Sequence, residues 1–125
     1  MAEFQYNLTV DEENRVIRLV VEGELNKNEG QMIIRETRKK AVDLELDILC
    51  DISQAKIKVT LADWFYLVRN RDIYPSRPAG KTALLINPDS REIYQFFLNV
   101  SRNVGFNFKY FFTEEDALDW LSGRD

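Results

Sequence analysis

Helix-start signals recur along this chain, and they leave room only for strands and loops between the helices they open. Asn26 stands three residues before Glu29, Thr60 three before Asp63, and Thr113 three before Asp116. In each case a short polar side chain can cap the first free amides while the acidic residue reaches back to the cap, the reciprocal pairing of a capping box. Asn87-Pro88 marks a fourth start, because proline at the first helical position has no amide to leave unsatisfied. Four helices in a chain of 125 residues fix a layered architecture, since each must lay its apolar stripe against something.

The intervening segments read as strands. Phe4, Tyr6, Leu8 and Val10 alternate with polar residues, the period of a half-buried strand. Asp11 to Asn14 is a polar turn, and Val16 to Val21 a short β-branched run, so the two strands pair most simply as an antiparallel hairpin that Gly23 then ends. Leu46 to Ile52, interrupted by Asp47 and Asp51, suits a central strand covered on both faces. Thr82 to Ile86 reads as a further buried strand, and Phe106, Phe108, Tyr110 and Phe112 alternate as the last one.

Core stripes follow the caps. In the first helix Gly30, Ile33, Ile34, Thr37, Ala41 and Leu44 recur at three- and four-residue steps, with Arg35, Arg38, Lys39 and Lys40 as the solvated remainder. Leu61, Trp64, Phe65 and Val68 mark one side of the second, which Pro75 and Pro78 end. Ile93, Phe97, Val100 and Val104 form the stripe of the third, closed by Gly105. Ala117, Leu118 and Leu121 pack the fourth, closed by Gly123. The resulting order, β-β-α-β-α-β-α-β-α, makes an α/β class domain with a mixed, mostly parallel sheet and helices packed on it. It is read as one domain over residues 1–125.

Three phrases resemble the STAS domain, the fold of bacterial anti-sigma factor antagonists. Gly23-Glu24-Leu25-Asn26 is similar to the Gly-Glu-Leu-Asp turn into that family's first helix, and Asp51-Ile52-Ser53 to the Asp-Leu-Ser that ends its central strand. The tail from Phe112 to Leu121 is similar to its closing strand-to-helix segment. The resemblance implies a STAS-like domain over the whole chain. It also implies that a residue nine positions beyond Asp51, which is Thr60, takes the place of the family's phosphorylated serine. Val59-Thr60-Leu61-Ala62 departs from the family's Asp-Ser-Ser-Gly phrase in all but the hydroxyl, which places the chain nearer the divergent branch compared with lipid-binding Sec14 domains.

Residue types narrow the chemistry. There is no histidine, which removes the commonest general base and every Ser-His or Cys-His pair. The single cysteine, Cys50, cannot form an intrachain disulfide and lies in an apolar run, where it reads as core. No carboxylate cluster has metal-like spacing, and no cofactor is expected. A net charge of −4 disfavours nucleic acid as a partner. No apolar run approaches a membrane span, and a cytoplasmic location is expected. Ala79-Gly80-Lys81-Thr82 ends like a phosphate-binding loop but lacks the upstream glycine and the strand-to-helix context.

The expected function is therefore a non-catalytic regulatory module that docks a protein partner on the 53–60 loop and the start of the second helix. Ser53, Thr60 and Asp63 set the local polarity there, and Arg69 and Arg71, with Arg77 and Lys81, form a basic rim. Thr60 has two compatible readings, a helix cap and a phosphoacceptor. The alternative class is a carrier or sensor of a small apolar ligand or lipid, held by the aromatic residues in a cavity between sheet and helices. The first strand, if it lies at a sheet edge, is a place for a second copy to pair.

Overall fold

Alternation in the first strand and the β-branched run after it produce a hairpin. β1 (Gln5–Asp11) pairs antiparallel with β2 (Val16–Leu25), Leu8 opposite Leu19. Asp11 closes the turn by accepting hydrogen bonds from the amide and the side chain of Asn14, and Arg15 takes a left-handed φ of 58° to re-enter the sheet. The computed structural model describes residues 4–60, 62–64, 66, 80–103 and 107–123.

Beyond the hairpin, helices carry the chain between parallel strands. α1 (Lys27–Leu44) leads to β3 (Asp47–Ile57), and helical residues 62–64 and 66 lie between β3 and β4 (Lys81–Leu85). A 3-10 turn (Pro88–Ser90) opens into α2 (Arg91–Asn103), followed by β5 (Asn107–Phe111) and α3 (Glu114–Ser122). The sheet runs β1-β2-β3-β4-β5, parallel at every pairing after the first, so β1 is an edge strand.

Two apolar layers sandwich the sheet. On one face Ile17, Leu19, Val21, Ile48, Cys50 and Ile52 pack under Ile33 and Ala41 of α1 and Tyr94 and Phe97 of α2. On the other, Val16, Leu49, Ala83, Leu85 and Phe111 pack under Ala117 and Leu121 of α3. Burial of a residue such as Leu49 contributes about 2 kcal/mol. The expected double covering of the central strand holds for its first half, where consecutive residues Ile48, Leu49 and Cys50 are all buried.

Several sequence expectations are corrected. Gly23 does not end β2; it takes a φ of 89° within the strand, which runs on to Leu25. Asp51-Ile52-Ser53 does not end β3, which continues to Ile57 beside that extension. Val20 lies opposite Asp51 and Glu22 opposite Gln54, so β3 carries one extra residue at this point. Asp51 Oδ1 accepts from both the amide and the hydroxyl of Ser53, at 3.0 and 2.6 Å, and supplies partners at the irregularity.

Helix faces shift as well. Arg38 is buried, its guanidinium 5.8 Å from the centre of the Phe108 ring, while Leu44 is exposed. In α2 the inward residues are Tyr94, Phe97, Leu98, Val100 and Ser101, so Phe97 and Val100 of the expected stripe hold, whereas Ile93 is half exposed. Phe111 turns inward under α3 and Phe112 outward, because β5 is covered on both faces. Lys81, from the phosphate-loop-like phrase, begins β4 and donates from Nζ to the carbonyl of Trp120 at 2.9 Å. The expected closures at Pro75, Pro78 and Gly105, and the apolar positions Leu61, Phe65, Val68, Val104 and Phe106, lie outside the described residues.

Candidate functional site: a corner where two helices begin

The end of β3 is tied to the end of β2 by the amide of Lys58, which donates to the carbonyl of Leu25 at 2.8 Å, with Lys58 Nζ 2.7 Å from Glu24 Oε1. Both chains then turn at once into helix. On one side Asn26 accepts from the amide of Glu29, and Glu29 accepts from the amide of Asn26, each at 2.9 Å. On the other, Thr60 Oγ1 accepts from the amide of Asp63 at 3.0 Å and Asp63 Oδ2 from the amide of Thr60 at 3.3 Å. Two of the three capping boxes read from the sequence are thus formed reciprocally, and they face the same corner, whereas at the third only Thr113 accepts from the amide of Asp116.

Charge joins the two starts. Lys27, the first residue of α1, has Nζ 3.9 Å from Asp63 Oδ1 and 4.5 Å from the centre of the Tyr66 ring. The ammonium group at the start of α1 therefore approaches the Asp63 carboxylate that caps the neighbouring helix start, where Thr60 is exposed. Trp64 anchors the segment from below. Its indole stacks on Phe97 and its Nε1 donates to the Phe97 carbonyl at 2.9 Å and to Ser101 Oγ at 3.2 Å.

Of the residues expected at the docking surface, the structure brings Thr60 and Asp63 together. Ser53 is elsewhere: it lies within β3, bonded to Asp51, and the expected 53–60 loop shortens to residues 58–60. Arg69, Arg71 and Arg77 lie outside the described residues. Lys27 was missed, because only the tertiary meeting of α1 with the Thr60 segment makes it a neighbour of Asp63 and Tyr66. The one local signal was Lys27 directly after a cap residue.

No family model and no curated protein matches the sequence. Solved structures do. An uncharacterised protein of the DUF3478 family with a SpoIIAA-like fold from Shewanella loihica PV-4 superimposes with a TM-score of 0.62 at 16% identity, covering 97% of this chain and 95% of that one. The fold is SpoIIAA-like. An anti-sigma factor antagonist from Mycobacterium paratuberculosis superimposes with a TM-score of 0.60 at 14% identity, over 98% of this chain and 96% of that one.

Within the SpoIIAA-like fold the three phrases take definite places. Gly23-Glu24-Leu25-Asn26 is the end of β2 and the cap of α1, and the tail from Phe112 is the turn into α3, where Thr113 Oγ1 accepts from the amide of Asp116 at 3.2 Å. The third phrase sits at the β3 irregularity. Cys50 is enclosed in the core, and burial pushes its thiol up to about 12, so it stays protonated. Among the described residues no group of three or more acidic, Cys or His side chains is placed to hold a metal, and no helix is long and apolar enough to cross a membrane.

Proposed function

We propose that the chain is a non-catalytic regulatory module that docks a protein partner at the corner formed by the starts of α1 and the Thr60 segment. The SpoIIAA-like fold, shared with an anti-sigma factor antagonist, supports the class. The observation that carries the reading is the exposed Thr60, held at a helix start by its capping box with Asp63, whose carboxylate Lys27 approaches from α1. Tyr66, half exposed and flanked by Lys27, offers the kind of aromatic contact that interfaces favour.

The same geometry suits a switch. A phosphate placed on Thr60 by a separate kinase adds about −1.5 to −2 charges at a helix N-terminus, which tolerates it. It also repels the Asp63 carboxylate from the Thr60 amide, opening the capping box and changing the charge offered to a partner. Affinity purification of the tagged chain from its native extract identifies the partner, and calorimetry then compares variants. Thr60→Glu is expected to weaken binding at least about tenfold, or 1.4 kcal/mol, and Thr60→Ser to leave it near wild type. Equal affinity of Thr60→Glu and wild type would remove the switch.

A further inference from the structure

The sheet has two edges, and they differ. β5 carries Lys109 at its centre, a charge of the kind that keeps an edge strand from pairing with another chain. β1 carries no such device. From Gln5 to Val10 it holds no charged residue and no proline, and its register with β2 runs unbroken from the Gln5–Glu22 pair to the Asp11–Val16 pair. Its outer edge therefore offers a row of N–H and C=O groups that no described strand meets.

The side chains of β1 sort by face. Tyr6, Leu8 and Val10 lie opposite Val21, Leu19 and Ile17, on the face that α1 covers. α1 packs over β2 and β3, so the cover thins towards the edge: Tyr6 and Leu8 are half-buried, and Val10 is 39% exposed. Gln5, Asn7 and Thr9 belong to the other face, where all three are exposed. β1 thus ends the sheet with an apolar stripe on one side and an uncharged polar stripe on the other.

We propose that β1 pairs antiparallel with β1 of a second copy of this chain, about a two-fold axis at Leu8, so that two sheets join into one. Only that axis pairs every residue of the strand from Gln5 to Asp11. It sets Leu8 against the partner's Leu8, Tyr6 against the partner's Val10, and Asn7 against the partner's Thr9. Apolar meets apolar and uncharged polar meets uncharged polar, with Gln5 against the partner's Asp11 at each end. Such cross-strand pairs are what stabilise a sheet, and here they cover the exposed Val10. The occupant is a second copy because the strand matches itself under the two-fold, which closes on a dimer. Pairing of β1 with β5 of another copy would grow an open filament, and Lys109 opposes it. A ribbon of this length spans about 24 Å and makes an interface of the small, transient class, so a dissociation constant on the order of 10–100 µM is expected. The pairing uses no residue of the Thr60 corner, so neither reading depends on the other.

Sedimentation velocity of the full chain between about 5 and 500 µM tests the pairing, with a reversible shift from monomer to dimer expected. Asn7→Lys combined with Thr9→Lys sets like charges against each other twice across the axis and should weaken the dimer at least about tenfold. Asn7→Glu combined with Thr9→Glu should do the same. Both positions are exposed, so the variants keep the fold, which circular dichroism checks. Mixing the two variants sets lysine against glutamate and should restore a dimer at least as tight as that of the unmodified chain. A chain that stays monomeric up to about 500 µM overturns the proposal. So does an unmodified chain that assembles beyond the dimer, a lysine variant that dimerises as the unmodified chain does, or a mixture that stays monomeric.

Discussion

The indole of Trp64 and the ring of Phe97 stack with centroids 5.0 Å apart, and the Trp64 Nε1 hydrogen is donated to the backbone carbonyl of Phe97 itself. Ser101 Oγ donates to the same carbonyl at 2.9 Å. One carbonyl on α2 thus fixes both a neighbouring turn and the segment that carries Thr60. Trp64→Phe keeps much of the stacking area and removes the donor, and is expected to cost about 1–2 kcal/mol in urea unfolding. Its effect should double with Ser101→Ala only in part, because the two donors share an acceptor.

Thr60 contributes to stability whether or not it is modified. Thr60→Ala removes the acceptor for the Asp63 amide and should cost about 1 kcal/mol, whereas Thr60→Ser retains it and should cost a few tenths. Thermal unfolding of the two variants separates the cap from any role in docking.

Gly80 takes a φ of 132°, and a Cβ there would stand 2.5 Å from Asp47 Oδ1. That same carboxylate oxygen accepts from the Lys81 amide at 3.0 Å, where β4 begins beside β3. Gly80→Ala should therefore be destabilising by about 1–3 kcal/mol, from backbone strain and from displacing Asp47. A chemical-denaturation midpoint unchanged from wild type would contradict it.

Acid should expose the hairpin turn. Hydrogen bonds from Asn14, with those from Arg18, hold the Asp11 carboxyl down at about 2, below its ordinary 3.8. A depressed folded-state value means that the contribution is complete above about pH 4 and is lost as pH falls towards 2. Asp11→Asn lacks this titration, so the stability gap between wild type and the variant should narrow over that window. Unfolding curves at pH 6, 3 and 2 (roughly spanning the two values) check the sign.

Much of the fold was legible because its signals are local. A cap needs only three residues of spacing, and the hairpin only an alternation either side of a polar turn; Asn26, Thr60, Thr113 and the β1–β2 pair all follow. Strand ends were misread where a local breaker met a tertiary partner. Gly23 looks like a stop, yet β3 lies alongside and accepts the continued strand. At the site, Thr60 and Asp63 were visible as a box, while Lys27 joins them only because two distant helix starts meet.

The order and identity of most elements were determined by the sequence alone, since caps, turns and apolar periods act over a few residues. Tertiary structure decided which side of each helix is covered, burying Arg38 and leaving Leu44 and Ile93 outside. The reason is geometric: a helical stripe is wide enough to sit at several rotations, and the choice among them depends on side chains contributed by strands far away in the chain.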